Sequence, residues 1–260
     1  YMEFQRFKTH PAIKPLLEGG RRISYGARAL NEGGWQSIPK LTMKGGALIG
    51  CAAGLLNVTK IKGTHTSMKS CSVAAEAAFS AIWQERLHDE LADYPENLKK
   101  SWVHKELKAV RNIRPSFHFG LFAGLAYSAL STYLFRGKEP WTFSNHADHL
   151  QTKKAAECKK IIYPKPDGIT TFDRLSSVFI SSTNHEEDQP AHLKLKDATV
   201  PVQYNLEEYA GPSQRYCPAG VYEYVKEGSE TRFQINAQNC VHCKTCDIKD
   251  MTQNIKWTTP

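Results

Sequence analysis

A chain of 260 residues, 41% hydrophobic and 23% charged, has enough apolar content for a sizeable core and is not a disordered segment. Its formal charge of +8 is spread along the sequence, with no Lys/Arg run of the kind that forms a nucleic-acid-binding tail, so no nucleic acid is expected among its partners. Seven cysteines, three of them within seven residues, argue against a secreted disulfide scaffold. The opening Tyr1-Met2-Glu3-Phe4 has the order of neither a signal peptide nor a transit peptide, and both ends read as cuts through a longer chain. Arg21-Arg22-Ile23-Ser24-Tyr25 and Gly46-Ala47-Leu48-Ile49-Gly50 are predicted as short strands bounded by glycine. Over 70–93, Val73, Ala77, Ala81 and Trp83 recur near a period of 3.6, which predicts a helix. A second helix is expected over 98–112, ending before Arg114-Pro115.

The stretch 115–135 carries no formal charge, and its length suits a bilayer span of about 17–25 residues. On a helix, Gly120, Gly124, Ser128 and Ser131 share one stripe, with Phe119, Phe122, Ala126, Leu130 and Tyr133 opposite. A buried core helix, a spanning helix and an interfacial helix that lays its aromatic face on lipid all fit that pattern. The sequence is then loop-rich to about residue 195. Tyr222-Glu223-Tyr224-Val225 and Arg232-Phe233-Gln234-Ile235 flank a Gly-Ser pair and predict a β-hairpin.

The strongest chemical signal lies around that hairpin. Cys240-Val-His-Cys243-Lys-Thr-Cys246 sets three thiols at two-residue spacing, so a tight loop can aim three sulfurs at three corners of a cubane. Cys217-Pro218, upstream of the hairpin, carries the signature of a remote fourth ligand. Cys217, Cys240, Cys243 and Cys246 therefore predict one [4Fe–4S] cluster and an electron-transfer role. The position where a ferredoxin run would place a further cysteine is Asp250, so one cluster is expected and not two. A zinc site needs the same four thiolates, but it normally pairs two C-x2-C knuckles, which this spacing does not supply. Cys51, Cys71 and Cys158 are isolated and expected as buried or inert thiols. His242 is expected to be exposed, and Glu186-Glu187-Asp188 to form a solvated loop; His65, His185 and His192 read as ordinary hydrogen-bonding residues.

A weaker signal lies nearer the start. Leu48-Ile49-Gly50-Cys51-Ala52-Ala53-Gly54 followed by Gly63-Thr64-His65-Thr66 has the pattern of a strand, a turn of small residues and a helix N-terminus. In a dinucleotide fold such a helix end faces the flavin ring. The G-x-G-x-x-G that cradles a pyrophosphate is absent from the chain.

Six stretches carry a family resemblance: Arg28-Ala29-Leu30-Asn31-Glu32-Gly33-Gly34, Ser37-Ile38-Pro39-Lys40-Leu41, Lys60-Ile61-Lys62-Gly63-Thr64-His65-Thr66, Asn184-His185-Glu186-Glu187-Asp188-Gln189-Pro190-Ala191-His192, Cys217-Pro218-Ala219-Gly220-Val221-Tyr222, and Ile235 through Asp250. Together they make the chain resemble electron-transfer flavoprotein–ubiquinone oxidoreductases, of which it corresponds to the C-terminal part. The resemblance implies an α+β chain: the C-terminal part of an FAD-binding domain, a helical membrane-contacting region and a ferredoxin-like module. It places the C-terminal part of the FAD/quinone-binding region at 1–75, the helical membrane-contacting region and loops at 76–195, and the ferredoxin-like 4Fe-4S domain at 196–260. It implies FAD in the complete enzyme, with Gly50, Cys51, Gly54, Gly63, Thr64 and His65 as flavin contacts, and the cluster on the four cysteines. It further implies electron-transfer flavoprotein, ubiquinone and a membrane bound monotopically as partners, on the matrix side of the mitochondrial inner membrane. The family carries Gly at the position of Cys71 and Pro at those of Thr59 and Met251. A ferredoxin-like carrier serving a separate flavoprotein is the alternative reading.

Overall fold

The computed structural model describes residues 1–259 and shows mixed helix and strand in two compact units. One unit is Leu30–Asn145; the other joins Tyr1–Ala29 to the chain from His146 onward. In chain order the elements are α1 (Met2–Lys8), β1 (Thr42–Met43), β2 (Gly46–Ala47), α2 (Thr64–Trp83), α3 (Asp93–Lys100), α4 (Trp102–Ala109), α5 (Ile113–Ser116), α6 (Leu121–Ala129), α7 (Arg174–Phe179), β3 (Leu193–Leu195), α8 (Glu207–Tyr209), α9 (Ser213–Tyr216), β4 (Tyr222–Glu227), β5 (Glu230–Ile235), α10 (Thr245–Lys249) and β6 (Ile255–Trp257).

In the Leu30–Asn145 unit, α2 turns its period-3.6 face, Val73 and Ala77, onto Leu41, Leu55, Tyr94, Leu98 and Leu107. The helix begins six residues before the expected Ser70. The Thr66 hydroxyl supports the early turns by donating to the Leu55 and Gly63 carbonyls. It stops at Trp83, well short of the expected Asp93, and Glu85 and His88 then take left-handed backbone. The helix expected over 98–112 is two helices. Ser101 breaks the run: its backbone is extended, and its hydroxyl donates to the Leu98 carbonyl at 2.6 Å. The strand expected over 46–50 shrinks to β2, because Gly50 (φ +56°) opens a 3₁₀ turn over Gly50–Ala53.

The apolar stretch forms α6 and runs on into a π-helical turn, Leu130–Phe135. Gly124 and Ser131 of the small stripe face inward, and a Cβ on Gly124 would lie 2.6 Å from the Phe117 ring. The opposite face is not core: Phe122 is 85% and Tyr133 80% exposed. No helix among the described residues is long and apolar enough to cross a membrane. The helix end is tied down by Ser131 and Arg111. The Ser131 hydroxyl meets the buried Glu139 carboxyl, and Arg111 donates to the carbonyls of Lys108, Gly137, Glu139 and Trp141.

In the second unit the predicted hairpin forms. β4 and β5 pair antiparallel from Tyr222↔Ile235 to Glu227↔Glu230, turning on Gly228 (φ +65°) and Ser229. β3 pairs antiparallel with β6, Leu193 opposite Trp257. The core is formed by Leu193, Val221, Tyr222 and Ile255 together with three of the motif cysteines. The expected strand over 21–25 does not form; that segment joins no ladder, and its side chains bond elsewhere, Arg22 to the Ser176 and Ser177 hydroxyls and Tyr25 to the Pro218 carbonyl.

Candidate metal centre

Helix α9 ends at Cys217 because Pro218 cannot continue it. Gly220, at φ +65°, then turns the chain back so that the N–H groups of Ala219 and Val221 both point at Cys217 Sγ, each at 3.5 Å. In the triplet, His242 and Lys244 adopt left-handed backbone (φ +54° and +62°), which coils the loop tightly. The His242 N–H meets Cys240 Sγ at 3.4 Å, and Cys246 sits in the first turn of α10. All four cysteines are buried, between 6% and 8% exposed. They line one small pocket whose apolar walls include Leu193, Val221, Val241 and Trp257. Asp250, at the position a further ferredoxin cysteine would take, is a buried carboxylate. It accepts from the Asn254 and Ile255 N–H groups, the Thr252 hydroxyl and the Asn205 amide, and so locks the end of the loop.

This donor set fits a metal cluster. Burial pushes the Cys217 thiol up, and Cys240 and Cys246 up to about 11. Such thiols stay neutral at pH 7 unless a multivalent cationic centre deprotonates them. The buried Tyr222 hydroxyl hydrogen-bonds the Cys246 sulfur, while Trp257 Nε1, on a residue that lines the pocket, is buried without a partner among the described residues. A buried donor is costly unless something accepts from it, as thiolates and bridging sulfides do. One ligand atom each of His192, Cys240 and His242 lies within 4.8 Å of the others.

Three histidines stack beside Cys240. The rings of His185, His192 and His242 are 4.8–5.5 Å apart, and His185 Nε2 lies 2.8 Å from the Cys240 carbonyl. His242 is therefore half-buried in a stack and not freely exposed. Burial, with the neighbouring histidines, holds His192 below the usual imidazole range. Sequence reasoning also missed a strap formed by 22–29. Tyr25 donates to the Pro218 carbonyl at 2.9 Å, the Ala29 N–H to the Cys243 carbonyl at 3.0 Å, and Arg28 to the His242 carbonyl at 3.4 Å. These partners are about two hundred residues apart in sequence, so no local pattern announces them. Burial raises the Tyr25 phenol to about 12, so it donates as a neutral hydroxyl.

The expected flavin contacts lie in the other unit. The Gly50–Ala53 turn packs on the first turns of α2: the Gly50 N–H meets Ser70 Oγ at 2.9 Å, and a Cβ on Gly50 would lie 2.8 Å from Ser67 Oγ. Gly54 caps the turn at φ +74°, and Gly63 precedes Thr64 at the helix N-terminus. His65 stacks on Trp102 at 5.6 Å and lies 2.8 Å from the Glu106 carboxylate. Burial works against ionisation of Glu106. Hydrogen bonds from His65, Asn57 and Lys60 outweigh it and bring the carboxyl down to about 2. Cys51, Cys71 and Cys158 are exposed thiols, contrary to the expectation of burial.

Residues 168–260, which contain all four motif cysteines, match the family model "Electron transfer flavoprotein-ubiquinone oxidoreductase, 4Fe-4S". Residues 1–30, which contain the strap, match "ETF-QO, ubiquinone-binding". The chain belongs to the electron transfer flavoprotein-ubiquinone oxidoreductase family. It is 60% identical over 270 residues to the mitochondrial electron transfer flavoprotein-ubiquinone oxidoreductase of Rattus norvegicus, which covers 100% of this chain and 44% of that protein. The Homo sapiens relative is 57% identical with the same coverage. The Arabidopsis thaliana relative is 56% identical over 262 residues, covering 100% of this chain and 41% of that protein. The chain thus spans less than half the length of these relatives and matches a C-terminal portion of the family.

Proposed function

We propose that this chain is the iron–sulfur portion of an oxidoreductase that takes electrons from reduced electron-transfer flavoprotein and delivers them to ubiquinone. The observation that carries the reading is the convergence of four buried cysteines on one pocket, inside the segment matched by the family's 4Fe-4S model. Cys217, Cys240, Cys243 and Cys246 would hold one [4Fe–4S] cluster. When bound, a cluster with four sulfur ligands transfers single electrons and offers no open position to substrate. The protein's own part is positional. The N–H groups of Ala219, Val221 and His242 aim at ligand sulfurs, the apolar walls limit water, and the strap fixes the outer backbone of both cysteine loops.

In the complete enzyme FAD would lie against Gly50, Cys51, Gly54, Gly63, Thr64 and His65, with the phosphate-cradling glycines supplied by the N-terminal part. The N-terminus of a twenty-residue helix beside a glycine-lined turn supports this. The exposed aromatic face of α6 supports monotopic contact with a membrane, and the mitochondrial relatives point to the inner membrane, on its matrix side. The reading keeps three parts, the C-terminal part of an FAD/quinone-binding region at 1–75, a membrane-contacting region at 76–195 and a ferredoxin-like module at 196–260. Mixing reduced electron-transfer flavoprotein with the cluster-loaded protein should produce a reduced-cluster EPR signal of one electron per chain. A cluster that stays oxidised under those conditions would sink the proposal. The carrier alternative is less favoured, because both ends of the chain match domains of the enzyme family.

A further inference from the structure

Arg174 opens α7 and stands half-buried beneath the Cys217 turn. Its Nη1 donates to the carbonyl of Gln214 at 2.8 Å and to that of Cys217 at 3.0 Å. Gly220 leaves room for it: a Cβ there would lie 3.4 Å from Arg174 Nε and 3.3 Å from Leu175 Cδ2. Arg111, Arg114 and Arg232 each have a carboxylate within 4 Å. Among the described residues, Arg174 has none. A half-buried guanidinium bonded only to neutral carbonyls is left without an opposite charge, which is costly unless one is supplied nearby.

The unbalanced charge faces the loop of a cluster ligand. Four thiolates around an iron–sulfur core leave the assembly net negative, and each electron taken up adds one further negative charge. A fixed cation at this distance from water favours the more negative, reduced form, because Coulomb attraction is stronger in a poorly solvated site. Arg174 also holds the Gln214 carbonyl of α9 and the Cys217 carbonyl that opens the turn whose N–H groups bond Cys217 Sγ, so it helps fix the direction of those donors.

We propose that Arg174 is a positioning residue and the charge counterpart of the cluster, raising its reduction potential so that electrons enter it more readily. This rests on the assignment of the cluster to the four cysteines. The test is an EPR-monitored redox titration of the cluster-loaded protein, with iron and sulfide analysis beside it, for the native protein, Arg174→Gln and Arg174→Lys. Arg174→Gln should retain the cluster and weaken electron uptake from a fixed donor about tenfold, which for one electron is 59 mV of lowered midpoint. Arg174→Lys, which keeps the charge without the fork, should lie nearer the native midpoint. An unshifted midpoint in Arg174→Gln with iron intact overturns the role of Arg174 alone. Equal loss of iron from both variants assigns it a purely structural role and also overturns the proposal. Native protein without iron removes the cluster assignment, and the proposal with it.

Discussion

Tyr222 buries a hydroxyl that hydrogen-bonds the Cys246 sulfur. A donor in that place strengthens its bond as the sulfur becomes more negative, so it stabilises the reduced state. Tyr222→Phe should therefore lower the midpoint potential at unchanged iron content, measured by redox titration; an unchanged midpoint would show that the hydroxyl serves packing alone. Glu106 makes a prediction in the other unit. Its carboxyl is depressed from about 4.5 to about 2, so its contribution is complete above the ordinary carboxylate value and is lost as pH falls from there toward 2. Glu106→Gln should cost about 1–3 kcal/mol at pH 7 in denaturant unfolding, with the deficit shrinking below pH 4.5. A deficit independent of pH would rule out the charged form as its source. The cysteines were legible in the sequence because a cluster loop is local: two-residue spacing alone converges the sulfurs. Tyr222, Arg174 and the histidine stack were not, since their roles depend on partners brought from distant segments.

At the scale of elements, α6 shows how far periodicity reaches. The stripe of Gly124 and Ser131 and the opposed aromatic face stood in the sequence, and the structure turns the first inward and leaves the second exposed. Replacing Phe122 and Tyr133 together by Glu removes two large apolar side chains from the exposed face and adds two charges. Binding to vesicles of phosphatidylcholine with an anionic lipid should fall at least tenfold in a flotation assay, with unchanged circular dichroism. Equal binding by the variant would place membrane contact elsewhere. The hairpin was legible from alternation and a Gly-Ser turn. The start of α2 stood in the Gly63-Thr64-His65-Thr66 pattern and not in the apolar period, which begins only further along; Thr66 hydroxyl bonds to Leu55 and Gly63 hold it. The segment 21–25 reads as a strand and is none. Its Tyr25 side chain reaches the Pro218 carbonyl, and its Arg22 side chain the Ser176 and Ser177 hydroxyls, in place of a ladder with a neighbouring strand.

For the whole molecule, the account joins a chain covering 44% of its rat relative to a single redox centre. Two compact units divide the work: Leu30–Asn145 carries the proposed flavin turn and the exposed α6, and the other unit carries the cysteines. The strap ties residues 22–29 to the cysteine loops. Residues 1–29 fold with the chain from His146 onward, and no composition shift marks a pairing between the two ends. The most direct measurement is an anaerobic visible spectrum of the purified protein with iron, sulfide and zinc analysis. The account predicts a brown protein with about four irons and four sulfides per chain, bleached by dithionite. A colourless protein holding one zinc and no sulfide on the same four cysteines would contradict it.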